Sequence, residues 1–132
     1  VRLGTSEFYA LVEDLPEVAD SLVVHLEDPQ GGNGELFLYL VLREGFSDNG
    51  TLAGRVRRQI RESLSPRHVP DEVLVVPSIP RSRTGKKLEV PVKRILQGSA
   101  ADEVASRDAL VDAGALDAYV QHAARRREAA GG

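Results

Sequence analysis

The chain has 132 residues, 42% hydrophobic and 28% charged, with a net charge of −3, an ordinary globular composition with enough chain for one modest core. It contains no cysteine, so disulfides and thiolate metal sites are excluded. No apolar run approaches the roughly 18 residues that span a bilayer and the first residues do not read as a signal peptide, so no membrane association is expected and the expected location is the cytoplasm.

Methionine is absent even from position 1, as expected of a piece cut from a longer polypeptide. The charge is unevenly spread. Residues 1–50 carry 2 basic and 10 acidic side chains (−8), residues 51–100 carry 11 and 4 (+7), and residues 101–132 carry 4 and 6 (−2). A basic segment of this kind attracts polyanions such as nucleotides. Aromatics are 5% of the chain and none interleaves the basic helix read below, so stacking platforms for nucleic acid are missing and no nucleic-acid partner is expected.

Gly4 or Thr5 can cap a first helix, with Glu7 in its first turn and Phe8, Leu11 and Val12 on one apolar face. It ends before Leu15-Pro16. Val18 to Leu26 and Glu35 to Leu42 read as strands of an antiparallel hairpin, joined by the turn-rich loop Glu27 to Gly34. His25 is isolated in an apolar run and reads as structural. Asp28 beside Glu27 reads as a solvated loop, since nothing nearby completes a metal site. After a loop ending at Gly50, Thr51 is a plausible N-cap. Leu52, Val56, Ile60 and Leu64 then repeat every fourth position in a helical stripe, with Arg55, Arg57, Arg58 and Arg61 on other faces.

Pro66 to Asp71 is a rigid connector. Its His68 lacks a Ser or Cys nucleophile in any recognisable motif, so no triad is assigned. Asp71 to Pro77 reads as a third strand. The apolar run Val73 to Ile79 stops at Pro80, which lacks an N–H and disfavours helix before it. Arg81-Ser82-Arg83-Thr84-Gly85-Lys86-Lys87 follows. Gly85 permits positive φ or close approach to a ligand, and Lys86 places a cation at the tip of a short loop. A Walker A loop would need glycine at position 80 and Ser or Thr at position 87. Proline and lysine stand there, so that reading fails. Pro91 suits an early helical turn in a short segment packed through Val92, Ile95 and Leu96. Gln97 to Asp102 reads as a flexible link. A last helix is expected from about 107 to 127, packing through Leu116, Tyr119 and Val120.

Pro80 to Lys86 resembles the C-terminal signature of the adenylate-forming enzymes, roughly Pro-Lys-Thr-x-Ser/Thr-Gly-Lys. Arg2-Leu-Gly-Thr-Ser-Glu7 resembles the end of the motif that follows their hinge. Lys87 and Glu89 depart from the general pattern. Acetoacetyl-CoA synthetases, however, carry a stretch similar to Gly85 to Leu96 and a tail similar to Arg107 to Asp117. The resemblance covers nearly the whole chain.

The resemblance implies an α+β fold: a small three-stranded sheet with flanking helices at about 5–14, 52–64 and 91–97. It implies a lid domain over 1–98, cut just after the hinge, and a C-terminal helical extension over 99–132. The implied activity is that of an AMP-forming acid–thiol ligase, inactive as a fragment alone, whose substrates are ATP, acetoacetate and CoA. Mg2+ is expected with ATP, bound mainly outside this chain, and the partner is the N-terminal ATP- and acyl-binding domain of the same polypeptide. Lys86 would be the catalytic lysine. Arg2 and Gly85 would lie at the ATP or adenylate phosphate, and Arg61 would bind the CoA 3′-phosphate. The other readings are a terminal arginine without a role for Arg2 and a surface arginine for Arg61. At the level of function, the alternatives are another short-chain acyl-CoA synthetase, or a non-catalytic module that binds anions or a partner. No resident metal site is expected in this chain.

Overall fold

The computed structural model describes residues 5–48, 50–108 and 113–131. It divides into two compact units, Val1–Val76 and Pro77–Gly132. The α+β class and three-stranded sheet expected from the sequence are both present.

In the first unit, α1 (Thr5–Glu13) is followed by β1 (Val18–Leu26), β2 (Glu35–Leu42), α2 (Leu52–Ser63), a 3-10 turn (Pro66–His68) and β3 (Glu72–Val75). The sheet order is β1-β2-β3. β1 and β2 form the expected antiparallel hairpin, with Val23 opposite Leu38. β3 pairs with β2 in parallel, because the chain crosses over through α2 before it returns. Parallel neighbours require such a crossover.

Alternation puts Val23, Leu36, Leu38 and Leu40 on one sheet face, where they pack with Phe8 and Val12 of α1 and Leu52, Val56 and Ile60 of α2. A register shift between Val18 and Asp20 brings Val18 into the same cluster. One inserted residue reverses the in–out alternation, which is how an even-numbered position joins the odd-numbered Val23. Leu22, Val24, Phe37 and Tyr39 occupy the other face and are buried too. The polar groups that this packing removes from water are paired. Tyr9 accepts at its hydroxyl from the Val23 N–H at 2.9 Å, and the Ser21 hydroxyl donates to Glu13 at 2.6 Å.

β3 is shorter than the run expected from Asp71 to Pro77. The Val76 N–H still donates to the Leu40 carbonyl at 2.8 Å, but Pro77 has no N–H with which to continue the ladder. At the other end, the Asp71 N–H donates to the Leu36 carbonyl at 2.8 Å and its carboxylate accepts the Leu36 N–H at 2.7 Å.

Glu17 is buried and forms a salt bridge with Arg55 of α2. Its own backbone N–H, and then the Arg55 guanidinium, hold its carboxyl below the ordinary value of 4.5, against the opposing effect of burial. A carboxyl whose pKa is depressed on folding stabilises the fold above its unfolded value. That contribution is lost as the pH falls through the folded value. Glu17→Gln is therefore expected to flatten the decline in stability below pH 4.5, measured as urea midpoints across an acid series. An acid limb identical to wild type would remove Glu17 from the account.

The second unit holds α3 (Glu89–Leu96), α4 (Ala101–Asp108), a 3-10 turn (Ala113–Leu116) and α5 (Asp117–Gly131). Pro91 is the third residue of α3 and is buried with Val92, Ile95 and Leu96. Two expectations are corrected here. The link expected to run flexibly from 97 to 102 already includes the first two residues of α4, whose first turn carries Asp102 and Glu103 and which buries Val104. Acidic side chains there oppose the positive end of the helix dipole. Of the single helix expected from 107 to 127, residues 109–112 lie outside the described residues, and the rest is the end of α4, the 3-10 turn and the larger part of α5. Gly114 falls in the turn, and glycine in a helix interior costs roughly 1 kcal/mol against alanine. Leu116 and Tyr119 are fully buried as expected, while Val120 is half-buried and Ala123 completes the apolar stripe. The Tyr119 hydroxyl donates to the Ser78 carbonyl at 2.8 Å.

Candidate functional site

The lysine loop lies in the second unit and is closed on itself. The Leu88 N–H donates to the Pro80 carbonyl at 3.0 Å, and the Ser82 N–H donates to the Lys86 carbonyl at 3.0 Å. Arg81 and Lys87 face each other across an antiparallel bridge. Inside this neck, the Gly85 N–H donates to the Ser82 carbonyl at 2.9 Å, which makes 82–85 a tight turn. Gly85 has φ +86°, a conformation that costs L-residues roughly 1–2 kcal/mol. A Cβ built there meets nothing within 4 Å, so backbone conformation, not crowding, calls for glycine. Lys86 comes next and is exposed, as are Arg83 and Thr84. Among the described residues no carboxylate pairs with Lys86. Its ammonium is thus available to an incoming anion.

Arg61 lies in the last turn of α2, in the first unit, with its side chain in solvent. The arginines of this helix have separate roles. Arg55 holds Glu17. Arg57 donates through Nε to the Pro70 carbonyl at 3.1 Å and through Nη2 to the Asp71 carbonyl at 2.7 Å. Arg58 and Arg61 are exposed and make no such contact among the described residues. Arg2 lies outside the described residues.

Sequence reasoning missed a cleft in the first unit. It has a volume of about 800 Å3, and its walls include His25, Asn33 and Leu36 on the hairpin side and Arg67, His68 and Asp71 on the connector. The His25 Nε2–H donates to the Asn33 carbonyl at 3.1 Å, which ties the hairpin loop back to β1. His68 Nδ1 lies 2.6 Å from the Ser65 hydroxyl. Both histidines therefore have hydrogen-bond partners, as expected of a structural His25, and they also line a concavity. The signal for it was a glycine-rich loop followed, far along the chain, by a proline-bounded basic connector; nothing local links the two. Asp28 accepts the Gln30 N–H at 2.9 Å and shapes the loop turn. Among the described residues no three His, Asp or Glu side chains converge as metal ligands, and no helix is long and apolar enough to cross a membrane.

The family model described as AMP-binding enzyme C-terminal domain matches residues 10–86, a span that ends on Lys86. Acetoacetyl-CoA synthetase of Caenorhabditis elegans is 34% identical over 122 residues, which is 92% of this chain and 17% of that protein. Its Gallus gallus counterpart is 42% identical over 120 residues, 90% and 17% of the two chains. This chain thus spans about 17% of the length of these curated relatives. Among solved structures, acetoacetyl-CoA synthetase from Streptomyces lividans matches with a TM-score of 0.84 and 41% identity, covering 96% of this chain and 19% of that one. An acyl-CoA synthetase from Brucella canis matches with a TM-score of 0.64 and 22% identity, covering 71% of this chain and 17% of that one; that likeness speaks to the fold alone.

Proposed function

Because the chain belongs to the AMP-binding enzyme C-terminal domain family, we propose that it is the C-terminal domain of an acetoacetate–CoA ligase. The carboxylate of acetoacetate attacks the α-phosphorus of ATP and pyrophosphate leaves. The CoA thiolate then attacks the acyl carbon and AMP leaves. The observation that carries this reading is the extent of the likeness. The Streptomyces lividans enzyme matches 96% of the chain, tail included, where the Brucella canis enzyme matches 71%.

In this reading residues 1–98 form the lid and 99–132 the extension, with α3 of the lid packed against α4 and α5 of the extension. The ATP- and acyl-binding domain lies elsewhere in the same polypeptide, and the Mg2+ that accompanies ATP is held there. Magnesium neutralises phosphate charge; this chain's own share is the lysine loop. We place the enzyme in the cytoplasm. The test is ATP–pyrophosphate exchange by the full-length protein with acetoacetate, acetate and other short-chain acids in turn. Exchange led by acetoacetate supports the reading. Exchange led by another acid reassigns the substrate, and none with any acid leaves a binding module.

Lys86 supplies the adenylation charge, with Gly85 shaping its loop and Arg2 near the adenylate phosphate. Arg61 binds CoA. It lies one turn beyond Arg57, and residues four apart share a helix face. Arg57 faces the connector that walls the cleft through Arg67 and His68. The exposed planar fork of Arg61 suits the CoA 3′-phosphate. Arg61→Ala is expected to raise the KM for CoA roughly tenfold while leaving exchange unchanged, the scale of one lost charged hydrogen bond. An unaltered KM would return Arg61 to a surface role.

A further inference from the structure

The peptide unit that joins Gly85 to Lys86 is held at both of its polar atoms by side chains. The Arg81 guanidinium donates to the Gly85 carbonyl at 2.7 Å. The Ser82 hydroxyl accepts the Lys86 N–H at 3.3 Å and lies 3.0 Å from the Thr84 hydroxyl, which orients it. The Ser82 backbone adds the Lys86 carbonyl at 3.0 Å and the Gly85 N–H at 2.9 Å. The Gly85 carbonyl, the Lys86 N–H and the Lys86 carbonyl thus each have a partner on Arg81 or Ser82.

Such bracing answers a specific weakness of the loop. With glycine on one side, rotation of the 85–86 peptide meets little steric resistance, and Gly85 has open space around it. Rotation would swing the departure direction of the Lys86 side chain while leaving the loop neck intact. We propose that Arg81 and Ser82 are positioning residues that fix the Gly85–Lys86 peptide in one orientation and so aim the Lys86 ammonium at the reacting phosphate. The inference rests on the adenylation role assigned to Lys86 above. Misplacing a catalytic group by about 1 Å can cost up to about a hundredfold in rate, so small side-chain restraints at this peptide carry a kinetic effect.

The test uses the full-length protein carrying Ser82→Ala, Arg81→Ala or Ser82→Thr, each alone and combined with Lys86→Ala. Ser82→Ala and Arg81→Ala are expected to lower kcat for acetoacetate-dependent ATP–pyrophosphate exchange on the order of tenfold, with KM for ATP within about twofold of wild type. CoA transfer from preformed acetoacetyl-adenylate stays at the wild-type rate. Ser82→Thr keeps the hydroxyl and restores exchange. In the Lys86→Ala background neither alanine variant costs anything further, because the residue they aim is gone. Three results overturn the proposal: wild-type exchange in both single variants, an undiminished loss in the Lys86→Ala background, or a parallel loss of CoA transfer. Full exchange by Lys86→Ala alone is a different outcome, and it overturns the adenylation reading on which the proposal rests.

Discussion

Replacing Lys86 with alanine in the full-length protein is expected to slow ATP–pyrophosphate exchange by about 10²–10³, the scale of removing one preorganised charge-stabilising donor, and to spare CoA transfer from preformed adenylate. Adenylation brings a carboxylate and a triphosphate together, and their mutual repulsion raises the barrier. A fixed ammonium offsets that repulsion and meets negative charge as it shifts towards the departing pyrophosphate. In the thiol step the nucleophile attacks a neutral acyl carbon, and the pyrophosphate charge has already left. The structure suits the first role because Lys86 is exposed, has no carboxylate partner among the described residues, and follows a glycine at φ +86°. Measuring the half-reactions separately decides the matter. Equal loss in both steps would assign Lys86 to structure, and equal survival would reduce the loop to a surface turn.

Local signals made much of this architecture legible. β1 and β2 stand at the expected positions because two β-prone runs flank a loop rich in Gly, Asn, Asp and Pro. The stripe Leu52, Val56 and Ile60 is buried as its four-residue spacing requires. The lysine loop could be placed because Pro80 and Gly85 have backbone consequences that few other residues have. What escaped was non-local. Parallel pairing of β3 with β2 depends on a crossover whose path no short window records. The salt bridge of Glu17 with Arg55 and the cleft between hairpin loop and connector join residues far apart in sequence. α4 escaped for the opposite reason. Its apolar face rests largely on Val104, too little to set a period against the alanine, glycine and serine before it. Arg81 and Ser82 were read only as members of a motif, and their bracing of the 85–86 peptide required atomic positions.

The largest effect on stability is expected from Leu38→Ala. β2 is the central strand, and Leu38 stands opposite Val23 of β1 and beside Val73 of β3. It is fully buried, in the cluster that joins the sheet to α1 and α2. Neighbouring strands on both sides restrict how far the backbone can move into the space left behind. Truncating a buried leucine costs about 2–5 kcal/mol, with the upper end reached where the site collapses poorly. Native domains are stable by only about 5–15 kcal/mol, so the loss is a large share of the whole. Val75→Ala is the matched control, since Val75 lies at the end of β3 and is 42% exposed; it should cost less than about 1 kcal/mol. Urea unfolding of both variants alongside wild type, with the slopes compared to confirm that midpoints report stability, gives the answer. A Leu38→Ala midpoint no lower than that of Val75→Ala would mean that β2 does not centre the core. The hairpin, the α2 crossover and the strand that leads on to the lysine loop would then owe their arrangement to something other than this cluster.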